Sequence, residues 1–370
     1  MTEIAKDKVE EALTQVIDPE IRRPITDLGM VRSIDIDGGN VTVGVDLTVA
    51  GCPLKTTIEK DVKAAIGQLP GVTSVNVQMG VMSDEQRKAL RQHLRGNERE
   101  IPFANPDTLT RVIAITSGKG GVGKSSMTAN LAVALAEKGL KVGVVDADIY
   151  GFSIPRMLGV DTAPTMIEDM IIPPVAHGVK VISIGMFVPD GQAVVWRGPM
   201  LHRAIQQFLA DVHWGDLDYL LLDLPPGTGD VALSVAQLLP SSEILLVTTP
   251  QAAAAEVAER AGSIASQTKQ KVIGVIENMA YLQQEDGTKL EIFGSGGGAI
   301  VCDRLSGILG YQIPLVAQIP LDISLREGGD TGIPIALGTG GAAESLKQLA
   351  EKLNSRSRGL AGRNLPVSFN

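Results

Sequence analysis

Gly118-Lys-Gly-Gly-Val-Gly-Lys-Ser125 is the stretch whose reading decides the fold of this chain. It fits G-x-x-x-x-G-K-[ST], a loop whose backbone N–H groups cradle nucleotide phosphates. In that pattern Lys124 reaches the β- and γ-phosphates and the Ser125 hydroxyl binds Mg2+. The loop requires a strand before it and a helix after it. Arg111-Val-Ile-Ala-Ile-Thr116 is short, apolar and β-branched, as a buried strand is. Ser126-Met-Thr-Ala-Asn-Leu-Ala-Val-Ala-Leu-Ala-Glu-Lys138 is Ala/Leu-rich and stops at Gly139, as a helix does. Unpaired amides and the positive end of a helix dipole then converge where the phosphates sit. The expected phosphate ligands are Gly118, Lys119, Gly120, Gly121, Val122, Gly123, Lys124, Ser125 and Ser126.

Downstream, apolar strands at 141–146, 179–184, 217–223, 243–248, 271–277 and 315–319 alternate with helices. Repeated βα units predict an α/β fold with a mostly parallel, doubly covered sheet. Two strands end in carboxylates. Val144-Val-Asp146-Ala-Asp148 places two at i, i+2, to act beside the phosphate loop or merely to cap the next turn. Tyr219-Leu-Leu-Leu-Asp223 has the arrangement that holds Mg2+ through water. In the Pro225-Pro-Gly227 loop that follows, Gly227 lacks a Cβ, so its amide can approach a γ-phosphate. Asn278 and Pro320, each just past a strand, are candidates for an adenine pocket; an Asn there also forms turns.

Residues 1–96 read differently. Val9, Ala12, Leu13 and Val16 share a helical face, and 31–37 and 41–48 alternate with period two around Gly38-Gly-Asn40, a hairpin signal. A helix from Leu54 and a strand at 74–78 complete a small α+β (α-β-β-α-β) domain, followed by charged, helical 83–95. Residues 97–107 are a polar, proline-punctuated linker, 108–356 the nucleotide domain, and 357–370 a loose basic tail.

The bulk composition excludes several classes. The chain has 370 residues, 44% hydrophobic and 20% charged, with room for about two domains. A formal charge of −9 argues against general nucleic-acid binding. No apolar run approaches the roughly 18 residues of a membrane span, so stable membrane insertion is not expected. Met-Thr-Glu-Ile-Ala-Lys-Asp-Lys is not a signal peptide, and two distant cysteines, Cys52 and Cys302, point to a reducing, cytoplasmic setting.

Lys119 adds a second cation to the loop, and with it the loop resembles the deviant P-loop of the MinD, ParA and nitrogenase iron-protein ATPases. Asp146-Ala-Asp-Ile-Tyr-Gly151, Ser153-Ile-Pro-Arg-Met-Leu-Gly159, Trp196-Arg-Gly-Pro-Met200, Asp223-Leu-Pro-Pro-Gly-Thr-Gly-Asp230, Glu277-Asn-Met279 and Phe293-Gly294 narrow the likeness to the Mrp (ApbC) family over about 108–353. Asp18-Pro-Glu20, Asp27-Leu-Gly29 and Gly51-Cys52-Pro53 resemble the small domain shared with MIP18-type iron–sulfur assembly factors. The resemblance implies an ATP- and Mg2+-dependent homodimer carrying iron–sulfur clusters between scaffold and apo-acceptor proteins. It implies that Asp148 orients the attacking water, that Asp146 contacts the Mg2+ water shell and that Lys119 supplies charge in trans. Many members carry Cys-x-x-Cys between the Asn-Met and Phe-Gly elements, yet 280–291 here contains no cysteine. A 4Fe–4S cluster takes four thiolates, so Cys302 and Cys52 are the remaining candidates in a dimer, each also able to serve as a small buried hydrophobe. The competing functions are a MinD/ParA-like positioning ATPase and an ATPase regulator or scaffold without a cluster.

Overall fold

The computed structural model describes residues 4–48, 54–95, 100–105, 107–149, 151–188, 198–227, 229–251, 254–284 and 286–356. Gly51-Cys52-Pro53, Trp196-Arg197 and the 357–370 tail lie outside them. The chain forms two compact units. The first comprises Met1–Glu100, Thr162–Val175 and Asp211–Gly215, and the second the remainder.

In the first unit α1 (Lys6–Leu13) precedes β1 (Val31–Asp37) and β2 (Asn40–Leu47), an antiparallel hairpin turned at Gly38-Gly39. The helix α2 (Lys55–Gly67) crosses over to β3 (Ser74–Val81), which pairs parallel to β2, and α3 (Asp84–Arg95) follows. Ile58, Val62 and Ile66 recur every four residues, so one stripe of α2 buries in the core that also holds Val41, Val43 and Val45 of β2.

The second unit is built on β4 (Arg111–Ser117), α4 (Lys124–Ala136), β5 (Val142–Asp146) and α5 (Ile154–Met157). Next come β6 (Thr165–Ile167) and β7 (Met170–Ile172), an antiparallel hairpin whose Ile167, Met170 and Ile172 join the core of the first unit. Such short strands give too little periodicity to be read from sequence, which assigned them to the nucleotide domain. The second unit continues through β8 (Val175–Ala176), β9 (Val179–Ser183), α6 (Gly198–Ala210), β10 (Tyr219–Asp223), α7 (Asp230–Leu238), β11 (Glu243–Thr248), α8 (Ala254–Thr268) and β12 (Lys271–Asn278). It closes with β13 (Leu282–Gln283), β14 (Lys289–Leu290), α9 (Gly297–Leu309), β15 (Leu315–Ile319), α10 (Ile323–Thr331) and α11 (Gly341–Ser355).

The main sheet has the order β15-β12-β11-β4-β10-β5-β9-β8, parallel from β15 to β9. Val144, Leu221, Val247 and Ile276 bury on the face covered by α4 and α11, whereas Ile244, Leu246 and Val275 bury against α8 and α9. Both faces are therefore covered, which is why the strands are apolar throughout rather than alternating. The linker region is partly structured: Pro102–Ala104 forms a 3-10 turn with Phe103 only 2% exposed.

The apolar stripe of α11 is core. Leu346, Leu349 and Leu353 are fully buried beside α4. Leu349→Ala should therefore cost about 2–5 kcal/mol of unfolding free energy, read as a lower urea midpoint.

Candidate functional site

The turn 118–123 joins β4 to α4, and Gly123 caps that helix with φ +83°. Its left-handed backbone and its neighbour both require glycine. Asn278 donates from Nδ2 to the Val122 carbonyl at 2.9 Å, and a Cβ on residue 123 would lie 2.3 Å from that nitrogen. The strand end of β12 is thereby fastened to the phosphate loop.

The sequence puts the carboxylates of Asp146 and Asp148 beside the phosphate loop but leaves the strand order open. In the fold β10 lies between β4 and β5, so Asp223 is in register with both Ile115 and Asp146. A buried carboxylate needs donors, and Asp223 accepts three: from Lys124 Nζ at 2.7 Å, Ser125 Oγ at 2.5 Å and Thr128 Oγ1 at 2.7 Å. Lys124, 6% exposed, also lies 3.5 Å from Asp148. Burial pushes the Asp148 carboxyl up from its ordinary value, with Lys124 opposing.

Asp146 was expected at the Mg2+ water shell, but its carboxylate is occupied by its own chain. Oδ1 accepts from the Asp148 amide, and Oδ2 from the Ser153 and Ile154 amides and the Ser183 hydroxyl. Burial and the neighbouring Asp223 raise it to about 7. Gly227, φ +91°, likewise does not present a free amide: its N–H donates to the Ser117 carbonyl at 2.7 Å and pins the Pro-Pro-Gly loop to the end of β4. Gly118, Gly120 and Gly121 lie in the turn between.

Lys119 donates to Gln251 Oε1 at 2.6 Å. On the other side of the loop a cavity of about 320 Å³ is lined by Gly123, Ser126, Met157, Asn278, Pro320 and Arg326, among others. Both adenine-pocket candidates thus meet in one cavity. Asn278 Oδ1 is buried with no hydrogen-bond partner among the described residues, an acceptor with an unmet cost of desolvation.

Of the two cysteine candidates, Cys52 lies outside the described residues. Cys302 sits on α9, 6% exposed among Leu246, Val275, Val301 and Leu305. Burial, with Asp303 and Glu277, pushes its thiol up to about 11, away from the thiolate that a metal requires. The interval 280–291 is an antiparallel β13–β14 hairpin turned at Asp286, with Lys289 Nζ 4.0 Å from the Tyr281 ring centroid. Among the described residues no three His, Cys, Asp or Glu side chains are grouped to hold a metal.

Thr128, Gln251 and Glu277 were not anticipated. Thr128 lies one helical turn beyond Lys124, a spacing that in retrospect aims it at the same strand end. The partners of the other two are remote in sequence.

Fold and site together define a P-loop NTPase. Residues 108–354 match the family of NUBPL iron-transfer P-loop NTPases, and residues 6–79 match an iron–sulfur cluster assembly protein domain. The chain belongs to this iron-transfer P-loop NTPase family. Proteins named iron-sulfur cluster carrier protein from Mycobacterium leprae and Deinococcus radiodurans are 59% and 44% identical to it, covering 97% and 96% of this chain and 95% of each relative. A nucleotide-binding protein from Archaeoglobus fulgidus, solved in complex with ADP, is 35% identical and superposes with TM-score 0.53 over 70% of this chain and 94% of that one. No described helix is long and apolar enough to cross a membrane.

Thr128→Val keeps the shape of the side chain and removes one of three donors to buried Asp223. It should cost about 1–3 kcal/mol of stability, measured by chemical denaturation.

Proposed function

We propose that this chain hydrolyses ATP as a homodimer and in doing so carries an iron–sulfur cluster from a scaffold to apo-acceptor proteins. The observation that carries the nucleotide reading is the cavity beside the phosphate loop, lined by both Asn278 and Pro320, with an Asn278 Oδ1 that has no hydrogen-bond partner among the described residues. Because Nδ2 is committed to Val122, the side chain offers only an acceptor to a base. The exocyclic amine of adenine supplies the donor it lacks; the carbonyl of guanine at the same position does not. Pro320 and Met157 furnish apolar walls for the ring.

With the base there, the phosphates meet the amides of 118–126 and Lys124 neutralises the β- and γ-oxygens. Bound through Ser125 and, by way of water, Asp223, Mg2+ would supply further neutralisation of the phosphates. Asp148 orients the attacking water and accepts its proton, its raised proton affinity suiting a base. Asp146 acts on Asp148 indirectly, by accepting the Asp148 amide and the turn at 153–154. Lys119, held at the edge of the loop by Gln251, exchanges that partner for the nucleotide of a facing protomer, where it acts as an arginine finger does.

The cluster is cargo, and the family and the named carrier relatives support it. Cys302 does not hold it, because a core thiol with raised pKa is both inaccessible and protonated. The cysteine-free hairpin at 280–291 favours one second reading, an ATPase regulator or scaffold that carries no cluster. The positioning-ATPase reading loses its support, since the leucines of α11 are core rather than a membrane-binding face.

Steady-state ATPase assays test the catalytic reading. Asp148→Asn should retain ATP binding and lose turnover by about 100-fold or more, while Lys119→Ala should lower kcat far more than it raises Kd. A rate per protomer independent of protein concentration in a strictly monomeric sample would refute the dimer.

Anaerobic reconstitution tests the cargo. Cys302→Ala should take up the same iron and sulfide as the wild type, whereas an uptake of none by the wild type would leave the regulator reading standing.

A further inference from the structure

Glu277 is a carboxylate 1% exposed at the end of β12, outside the phosphate site. A charge so buried persists only with strong donors, and two are present. The Gly298 amide, at the start of α9, donates to Oε1 at 2.7 Å, and Gln318 Nε2 on β15 donates to Oε2 at 2.6 Å.

Strand geometry gives these bonds a consequence. Ile276 packs in the core shared with α4, and Val275 in the core shared with α9. Alternation therefore puts Asn278 on the first face and Glu277 on the second. In the β12–β15 register Glu277 faces Gln318 and Asn278 faces Ile319, with Pro320 next. The Glu277–Gln318 bond thus ties the two strands one residue before Asn278 and two before Pro320, the walls they contribute to the base cavity.

The other bond depends on how closely α9 approaches. A Cβ on Gly297 would lie 2.5 Å from the Thr249 carbonyl, and one on Gly298 only 3.0 Å from Glu277 Cβ. Glycine at both positions lets α9 approach closely enough for the Gly298 amide to reach the carboxylate. Beyond Asn278 the chain turns through Met279 at φ +57°, a disfavoured backbone for a side chain of this size. The Ala280 amide anchors the far side of that turn on the Ile319 carbonyl at 2.9 Å.

We propose that Glu277 is a positioning residue for base recognition: its bonds to Gln318 and Gly298 hold β12 and β15 at the spacing where Asn278 and Pro320 grip the purine together. This rests on the adenine-nucleotide reading above. Glu277 touches no nucleotide and acts only through the placement of those two residues.

The test is calorimetric titration of the full chain with ADP and, separately, with inorganic tripolyphosphate, which has no base. Glu277→Ala, which removes both bonds, should weaken ADP binding about tenfold or more and move tripolyphosphate affinity less than about twofold. Glu277→Gln, which can still accept from Gly298 and pair with a reoriented Gln318 amide, should restore most of the ADP affinity. Gln318→Ala removes the same cross-strand bond from the exposed side and should weaken ADP selectively; it decides the matter if Glu277→Ala does not fold. Unchanged ADP affinity in a folded Glu277→Ala or Gln318→Ala protein, or equal weakening of ADP and tripolyphosphate, overturns the assignment. Asn278→Ala separates the two levels. If it leaves ADP affinity intact, the base-pocket reading itself fails; if it loses affinity while Glu277→Ala does not, only the positioning role fails.

Discussion

The rest of the structure depends on keeping Lys124 charged while nearly buried. An ammonium in that position is costly unless oppositely charged groups surround it. The parallel sheet supplies them, because parallel strands end together on one edge. Asp223 accepts directly from Lys124, Asp148 lies 3.5 Å away, and Asp146 stands on the next strand. Burial first, and then the charge of Asp223, raises the proton affinities of Asp146 and Asp148 against the opposing effect of Lys124. Such a cluster is suited to additional positive charge at the phosphates, as the proposed Mg2+ and Lys119 would provide.

The remaining features of the nucleotide edge secure that arrangement from several directions. Asp146 gathers the turn after β5, Gly227 is bonded back to Ser117, and Asn278 holds the Val122 carbonyl. Each bond joins the phosphate loop or its carboxylates to a strand end, where the backbone has already been ordered by the sheet. Fastening there costs less entropy than ordering a free loop. Asp146 and Asp148, two residues apart, consequently do different work: one is saturated by its own chain, the other faces Lys124 and the Gly151 amide.

The Cys302 thiol follows the opposite logic. Cys302 lies where helices α8 and α9 seal the sheet, and its surroundings are those of a small apolar side chain. The β13–β14 hairpin fills the interval in which many relatives of this type are expected to carry a cysteine pair, and it does so with a polar turn and a lysine over a tyrosine ring.

The sequence alone determined the parts whose partners are close in the chain. A phosphate loop is eight consecutive residues with a strand on one side and a helix on the other, so its chemistry is local. The α-β-β-α-β order of the first unit follows equally from short-range periodicity. What only the tertiary structure decided involves residues far apart. The insertion of β10 between β4 and β5 made Asp223 the central carboxylate, and Ser183, 37 residues on, helped to saturate Asp146. The Gly227 amide was taken by Ser117, Lys119 found Gln251 across 132 residues, and segments 162–175 and 211–215 joined the first unit. Periodicity reports which face of an element is buried but not which element covers it. A hydrogen-bonding group's availability depends on that neighbour, and so it emerges only when the chain is folded.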